Sequence, residues 1–288
     1  MKFLALCLIA FVVPLVSLQA EEGGGNLSSF ADLEKQHAGS RIGVYAVDAS
    51  TNKQVEYRAQ ERFAMCSTFK LLAVAAVLRR VDDEQEKLDR VVRYGEKQLL
   101  TYAPVTRAHV KEGGMTIEAL CAAAMEQSDN TAANLLLKTI GGPKGVTGFA
   151  RGIGDKETRL DRIEPQLNVV VPGDKRDTTT PAAIAKDLQR LLTSDLLKPS
   201  SQTRFEGWLQ RNQTGLKMIR ASVPADWKTG HKTGRSGTGA VNDVAVIRPP
   251  TGGPLFLAIY TENPKESEDA RDDLVAAVAK IAIEALSK

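Results

Sequence analysis

The sequence has little of what metal centres and charge-relay sites are made from. In 288 residues there are three histidines (His37, His109, His231) and three cysteines (Cys7, Cys66, Cys121), and they are scattered. No Cys/His cluster has metal-ligand spacing, so neither a zinc site nor another metal is expected, and no cofactor motif is present. No histidine has a recognisable Ser-His-Asp context, which argues against a hydrolase of that type. There is no Lys/Arg block, and the net charge is only +3, so nucleic acid is not an expected partner. After the first twenty residues no apolar run is long enough to span a membrane. What remains is ordinary globular composition, 43% hydrophobic and 25% charged. The length suffices for one large domain or two interleaved ones with a substantial core.

The first twenty residues read as a signal peptide, with Lys2 as a positive start, an apolar stretch from Phe3 to Leu18, and small Ala20 before Glu21 and Glu22. The run of about 16 apolar residues is shorter than the roughly 20 a spanning helix needs. The expectation is cleavage near Ala20 and a mature, soluble, monomeric protein in the periplasm, with no stable membrane association.

Along the chain, residues 28–38 pattern as a short helix. Two strands follow, 41–47 and 54–58, around a polar turn, and a second hairpin is expected from 241–248 and 255–262 around a Pro/Gly-rich turn. A last helix from Ser267 puts Leu274, Val278, Ile281 and Leu286 on one face. Strands at both ends with helices between them imply one sheet built from the two termini and a helical insertion. The expected division is a discontinuous sheet lobe (21–62 and 210–288) and a helical lobe (63–209). In the middle, 67–81 is apolar nearly all round and should be a buried central helix. Helices at 116–126 and 131–140 follow, and Thr180-Pro181 opens another. The stretch from Arg159 to Thr179 has no clean periodicity, and a loop of that length in a compact protein is usually functional or disordered.

Lys70 is the only charge on the central helix before Arg79, and it stands three residues after Ser67, on the same face. A serine at a helix start meets free backbone N–H groups and the positive dipole end, and a neutral lysine beside it can take its proton. The four-residue pattern alone arises by chance about once in such a chain. Ser128-Asp129-Asn130, before a helix, reads equally as a plain helix cap. Lys232-Thr233-Gly234 reads equally as a polar edge strand with a turn. Each triplet is expected by chance in about one chain in ten or fewer, but the three in this order are not coincidence.

This trio resembles the penicillin-recognising serine enzymes, and Glu164-Pro165-Gln166-Leu167-Asn168 narrows the resemblance to the class A β-lactamases. It covers nearly all of the mature chain and includes Arg162 and Asp177, where that family closes the glutamate loop with an ion pair. The resemblance implies an α+β fold: a five-stranded antiparallel sheet flanked by terminal helices, an all-helical lobe, and the active site between them. It implies β-lactam antibiotics, penicillins or cephalosporins, as substrates and hydrolysis that gives resistance. Ser67 would be the nucleophile, with its own N–H and that of Arg235 as the oxyanion hole. Lys70 would handle the serine proton and Ser128 the proton for the leaving nitrogen. Glu164 and Asn168 would hold the deacylating water. Asn130 would bind the substrate's amide, Lys232 and Thr233 its carboxylate, and Tyr102 would wall the cleft unless it is a packing tyrosine. A cis Glu164-Pro165 bond is also implied.

The chain departs from the family pattern at several places. Val241 stands where many members carry a carboxylate-binding arginine. Arg271 matches the place of a substitute, or is an exposed helix charge. Arg235 occupies a position normally held by a small residue, and either adds a second cation or points to solvent. His231 replaces an aspartate, which puts that aspartate's ion pair in doubt. Members with a bridge from the Cys121 position pair it with a cysteine where Val74 stands, and carbapenem-hydrolysing members often link the Cys66 position to the place of Ser236. Free, buried thiols are therefore expected, and carbapenem hydrolysis is not supported. The alternatives within the superfamily are a D,D-peptidase and a β-lactam sensor. Glu164 with Asn168 argues against both, since ester hydrolysis needs a positioned base and water, and a sensor is expected to carry a transmembrane link.

Overall fold

The structure, a computed structural model, describes residues 24–37, 39–262 and 265–287. The expected signal peptide, with Cys7, lies outside them. In chain order the elements are α1 (Gly24–Gln36), β1 (Arg41–Asp48), β2 (Gln54–Tyr57), β3 (Phe63–Ala64), α2 (Phe69–Asp82), β4 (Val91–Arg93), α3 (Pro104–Ala108), β5 (Gly114–Thr116), α4 (Ile117–Glu126), α5 (Asn130–Thr139) and α6 (Pro143–Gly152). They continue with β6 (Thr178–Thr179), α7 (Pro181–Thr193), α8 (Pro199–Gln210), β7 (Lys228–Arg235), β8 (Ala240–Arg248), β9 (Leu255–Glu262) and α9 (Glu268–Ser287).

The main sheet runs β2-β1-β9-β8-β7, antiparallel throughout, so strands from the two ends of the chain lie side by side at β1 and β9. Side chains alternate across it, as the period of two requires. Ile42, Val44, Ala46, Leu257 and Ile259 face a core closed by Phe30 of α1 and Leu274, Val278 and Ala282 of α9. Tyr45, Val47, Val244, Val246, Phe256 and Tyr260 face the larger core shared with the helical middle. Because helices cover both faces, β1, β8 and β9 are buried along almost their whole length.

The helix expected from Ser67 begins as a 3-10 turn, Cys66–Thr68, that runs straight into α2. From Phe69 to Leu78 every residue of α2 is buried, Lys70 included. Three helices start on side-chain caps: Thr116 accepts from Ala119 N, Asp129 from Ala132 N and Thr180 from Ala183 N. Three helices, α3, α6 and α8, were not legible in the sequence. α6 carries three glycines in ten residues, and α8 mixes serine, glutamine and glycine with few apolar positions, so both lose the periodic signal.

Candidate active site

The nucleophile candidate sits at a forced turn. Cys66 holds φ at 47°, a conformation unfavourable for a residue with a Cβ, and Ser67 follows it at the mouth of α2. Lys70 Nζ reaches back one helical turn to Ser67 Oγ at 3.0 Å. The same ammonium nitrogen contacts Ser128 O at 2.8 Å, Ser128 Oγ at 3.3 Å, Asn130 Oδ1 at 2.6 Å and Glu164 Oε1 at 3.4 Å. Burial pulls the Lys70 pKa below the ordinary lysine value, and the Glu164 carboxylate works against that.

Ser128, Asp129 and Asn130 serve as both cap and site. Asp129 accepts from Ala132 N at 2.8 Å as the cap of α5, and from Val105 N, Thr106 N and Thr106 Oγ1 on α3. Anchored in this way, it leaves its neighbours to face the cleft. Ser128 takes a positive φ of 55°, and its Oγ accepts from Lys232 Nζ at 3.0 Å.

The long loop between Arg159 and Thr179 is tied at its base. Asp177 receives the Arg162 guanidinium and the N–H groups of Asp161 and Arg162 at 2.7 and 2.9 Å. Midway, the Glu164-Pro165 bond is cis. Asn134, on α5, clamps the Glu164 backbone by donating to its carbonyl at 2.9 Å and accepting from its N–H at 3.0 Å. The carboxylate is thereby aimed inward. Oε1 accepts from Ser67 Oγ at 3.3 Å and Oε2 from Asn168 Nδ2 at 2.6 Å.

The fourth wall is β7, the edge strand. A Cβ on Gly234 would lie 2.6 Å from Met65 O and 3.1 Å from Ser67 N, so only glycine lets the strand come this close to the nucleophile's turn. Lys232 is fully buried and donates to Thr233 O at 2.9 Å as well as to Ser128. Thr233 Oγ1 hydrogen-bonds to Thr214 Oγ1 at 2.6 Å. Between these walls lies a cavity of about 320 Å³, lined by Ser67, Tyr102, Ser128, Asn130, Asn168, Thr214, Thr233, Gly234 and Arg235.

The chain that builds this cleft is similar to known proteins along most of its length. The family model described as the β-lactamase enzyme family matches residues 28–286. A carbapenem-hydrolysing β-lactamase KPC from Klebsiella oxytoca is 46% identical over 258 residues, 89% of this chain and 87% of the relative. The β-lactamase CTX-M-8 of Citrobacter amalonaticus is 46% identical over 251 residues, covering 87% of this chain and 86% of its own length. Among solved structures, an ancestral Gram-negative class A β-lactamase superposes with a TM-score of 0.88 at 50% identity, covering 90% of this chain and 99% of that one.

The chain belongs to the class A β-lactamases. It is a β-lactam-hydrolysing enzyme of the kind that gives antibiotic resistance. In this β-lactamase Ser67, Lys70, Ser128, Asn130, Glu164, Asn168, Lys232 and Thr233 meet in one network. Tyr102 is half exposed on the rim, and its hydroxyl donates to Gln127 O at 3.1 Å. Arg235 turns back along the sheet face to pair with Asp272 and to touch Met218 Sδ at 3.5 Å, while remaining on the cleft lining. Arg271 is not on that lining: its Nε donates to the carbonyl of Ser267, the residue just before α9. The residue that reaches the β7 cation is its neighbour, Asp272. His231 retains an ion-pair geometry by a different route, with Nδ1 3.0 Å from Asp243 Oδ1. Cys66 and Cys121 are free and buried. Sequence reasoning missed Asn134, Thr214, Asp243 and Asp272, since each acts through a partner distant in the chain.

Proposed function

We propose that Ser67 Oγ attacks the lactam carbonyl, forming the ester as the C–N bond breaks. Its proton leaves through Lys70 or the Glu164 carboxylate, both within reach, and Ser128 passes a proton to the departing nitrogen. The N–H groups of Ser67 and Arg235 stabilise the oxyanion. Asn130 binds the substrate's side-chain amide, and Lys232 with Thr233 meets its carboxylate, with Arg235 as a further cation on the lining. Glu164 then takes a proton from water held with Asn168; the hydroxide displaces Ser67 Oγ, which recovers its proton. Arg271 has no part in this reading. The discontinuous sheet lobe (21–62, 210–288) and the helical lobe (63–209) supply the two walls. The enzyme works as a monomer in the periplasm; among the described residues no helix is long and apolar enough to cross a membrane.

The observation that carries this reading is Ser67 Oγ lying 3.0 Å from Lys70 Nζ and 3.3 Å from Glu164 Oε1. One atom is in reach of a base for each half of the reaction. Asn168 Oδ1 makes no hydrogen bond within the described protein, which leaves it an acceptor for a water beside Glu164. The carboxylate also distinguishes this site from a D,D-peptidase or a sensor, which would stop at the ester. Cys66 has Ser236 where a bridging cysteine would be needed, so penicillins and cephalosporins are the favoured substrates over carbapenems. With a chromogenic cephalosporin, Ser67→Ala is expected to abolish turnover. Glu164→Ala is expected to accumulate a covalent acyl-enzyme visible by mass spectrometry; normal turnover by that variant would remove Glu164 from deacylation.

A further inference from the structure

Thr214 and Thr233 both stand on the cleft lining, with their hydroxyl oxygens 2.6 Å apart. Thr233 has a part in the reading above; Thr214 has none. The contact continues away from the cleft. Thr214 Oγ1 donates to Asn212 Oδ1 at 2.8 Å, and Thr214 N donates to the same oxygen at 2.9 Å. Asn212 is buried, and its amide can stand only one way round. A backbone N–H faces Oδ1, while the carbonyls of His231 at 3.0 Å and Thr214 at 3.3 Å face Nδ2. The head of this chain of groups is therefore a fixed acceptor.

A hydroxyl has one proton to give. When Thr214 gives its proton to Asn212, its bond to Thr233 can only be an accepting one, so the Thr233 proton points away from the cleft. When Thr214 gives its proton to Thr233 instead, Asn212 Oδ1 keeps the Thr214 N–H, and the Thr233 proton is released toward the cleft. Within the protein the first order is the better satisfied, since both hydroxyl protons find acceptors. A carboxylate, which only accepts, supplies the bond that the second order lacks, and supplies a charge-assisted one. Reversal of the chain then costs no hydrogen bond.

We propose that Thr214, held by Asn212, is a positioning residue for β-lactam hydrolysis: it takes the Thr233 proton in the empty cleft and, by turning its own proton onto Thr233, makes that hydroxyl a donor when the substrate's carboxylate arrives. The inference rests on the reading above that Thr233 meets that carboxylate. Hydrogen bonds in a chain polarise one another, so Thr233 donates more strongly with the Thr214 proton on its oxygen than it would alone. Thr214 in this arrangement acts through Thr233 and has no contact of its own to make with the substrate.

The test compares a penicillin with its methyl ester, whose carbonyl accepts without charge. Thr214→Val keeps the shape and removes the hydroxyl. It is expected to raise KM for the free acid about fivefold, with kcat within about twofold and KM for the ester moving by less than about twofold. Thr214→Ser, which restores the hydroxyl, should recover the low KM for the acid. In a Thr233→Val background Thr214→Val should add nothing, because the partner it acts through is gone. Thr214→Ala takes its place in every arm if the valine variant does not fold. Equal losses on acid and ester would overturn the proposal. So would a full further loss in the Thr233→Val background, which would mean that Thr214 meets the substrate itself. Thr233→Val alone separates the two levels. If it costs acid and ester alike, the reading of Thr233 falls, and the inference with it. If it discriminates and Thr214→Val does not, the inference alone is wrong.

Discussion

Single residues in this enzyme are held in states that water would not allow. Asp187, buried on α7, has the Arg190 guanidinium 3.7 Å from Oδ1, and its pKa is pushed up to about 9 by burial first and by the nearby Asp155 charge second. The Asp155 pKa is lowered by donors that include the Asp187 side chain, which agrees with one proton held by Asp187 and offered to Asp155. Between the ordinary carboxylate range and about 9, then, folding takes up a proton at Asp187. In that window the unfolded state binds fewer protons, so this group's contribution to stability falls as pH rises. Asp187→Asn, whose amide can donate to Asp155 at any pH, should melt like the parent below about pH 4 and progressively higher than it toward pH 9. Melting curves across that range check it, and a variant destabilised equally at every pH would rule out the shared proton. The sequence showed these two aspartates as unremarkable charges. Their pairing depends on the loop after α6 meeting α7, which no local pattern encodes. The same holds for His231: its identity was plain, but Asp243 becomes its partner only through the β7–β8 register.

At the scale of elements, legibility followed periodicity. α2, α4, α5 and the two hairpins carry clear spacing or caps, and their bounds were readable to within a residue or two, while for α7 only the start was legible. α6 and α8 lack apolar rhythm, and the two-residue strands β3 and β6 exist only because they pair with each other. The catalytic motifs were legible because each is a short run; what the runs could not show was how closely their elements approach. β7 illustrates this. Its Lys-Thr-Gly run is polar, yet from Thr229 to Gly234 it is buried against the nucleophile's turn and its own sheet neighbour. Gly234→Ala must push the strand or the turn aside. We expect a stability cost of about 1–3 kcal/mol from overpacking. The loss in kcat/KM should be much larger, on the order of a hundredfold, because a displacement of about 1 Å would misalign the proposed oxyanion hole. Chemical denaturation and steady-state kinetics on the same preparation separate the two; proportionate losses would mean that the close approach serves packing alone.

On the scale of the whole molecule, the turn that carries Ser67 is held from the far end of the chain. Asn242 of β8 donates to Ala64 O at 2.8 Å and Met65 O at 3.1 Å. Tyr260 of β9 shares a hydrogen bond of 2.7 Å with Thr68 Oγ1, and Gly234 of β7 lies against Met65 and Ser67. Asn242→Ala leaves buried carbonyl oxygens short of a donor and should cost about 1–3 kcal/mol in stability. It should also slow acylation, measured as the rate of burst formation in a Glu164→Ala background; an unchanged burst would confine Asn242 to a purely structural role.

That arrangement has a consequence for how the enzyme comes into being. A nascent chain that has emerged as far as Pro199 already contains Ser67, Lys70, Ser128 and Glu164, every side chain assigned to bond making and breaking. It contains none of β7, β8 or β9, so the serine has neither the second oxyanion donor proposed above nor the brace that sets its backbone. On that reading, activity requires the C-terminal strands to be docked, β9 against β1 and β8 and β7 beyond it. A copy lacking those strands is expected to be inert rather than a half-working acylation trap, which a chain truncated after Pro199 would show by failing to acylate.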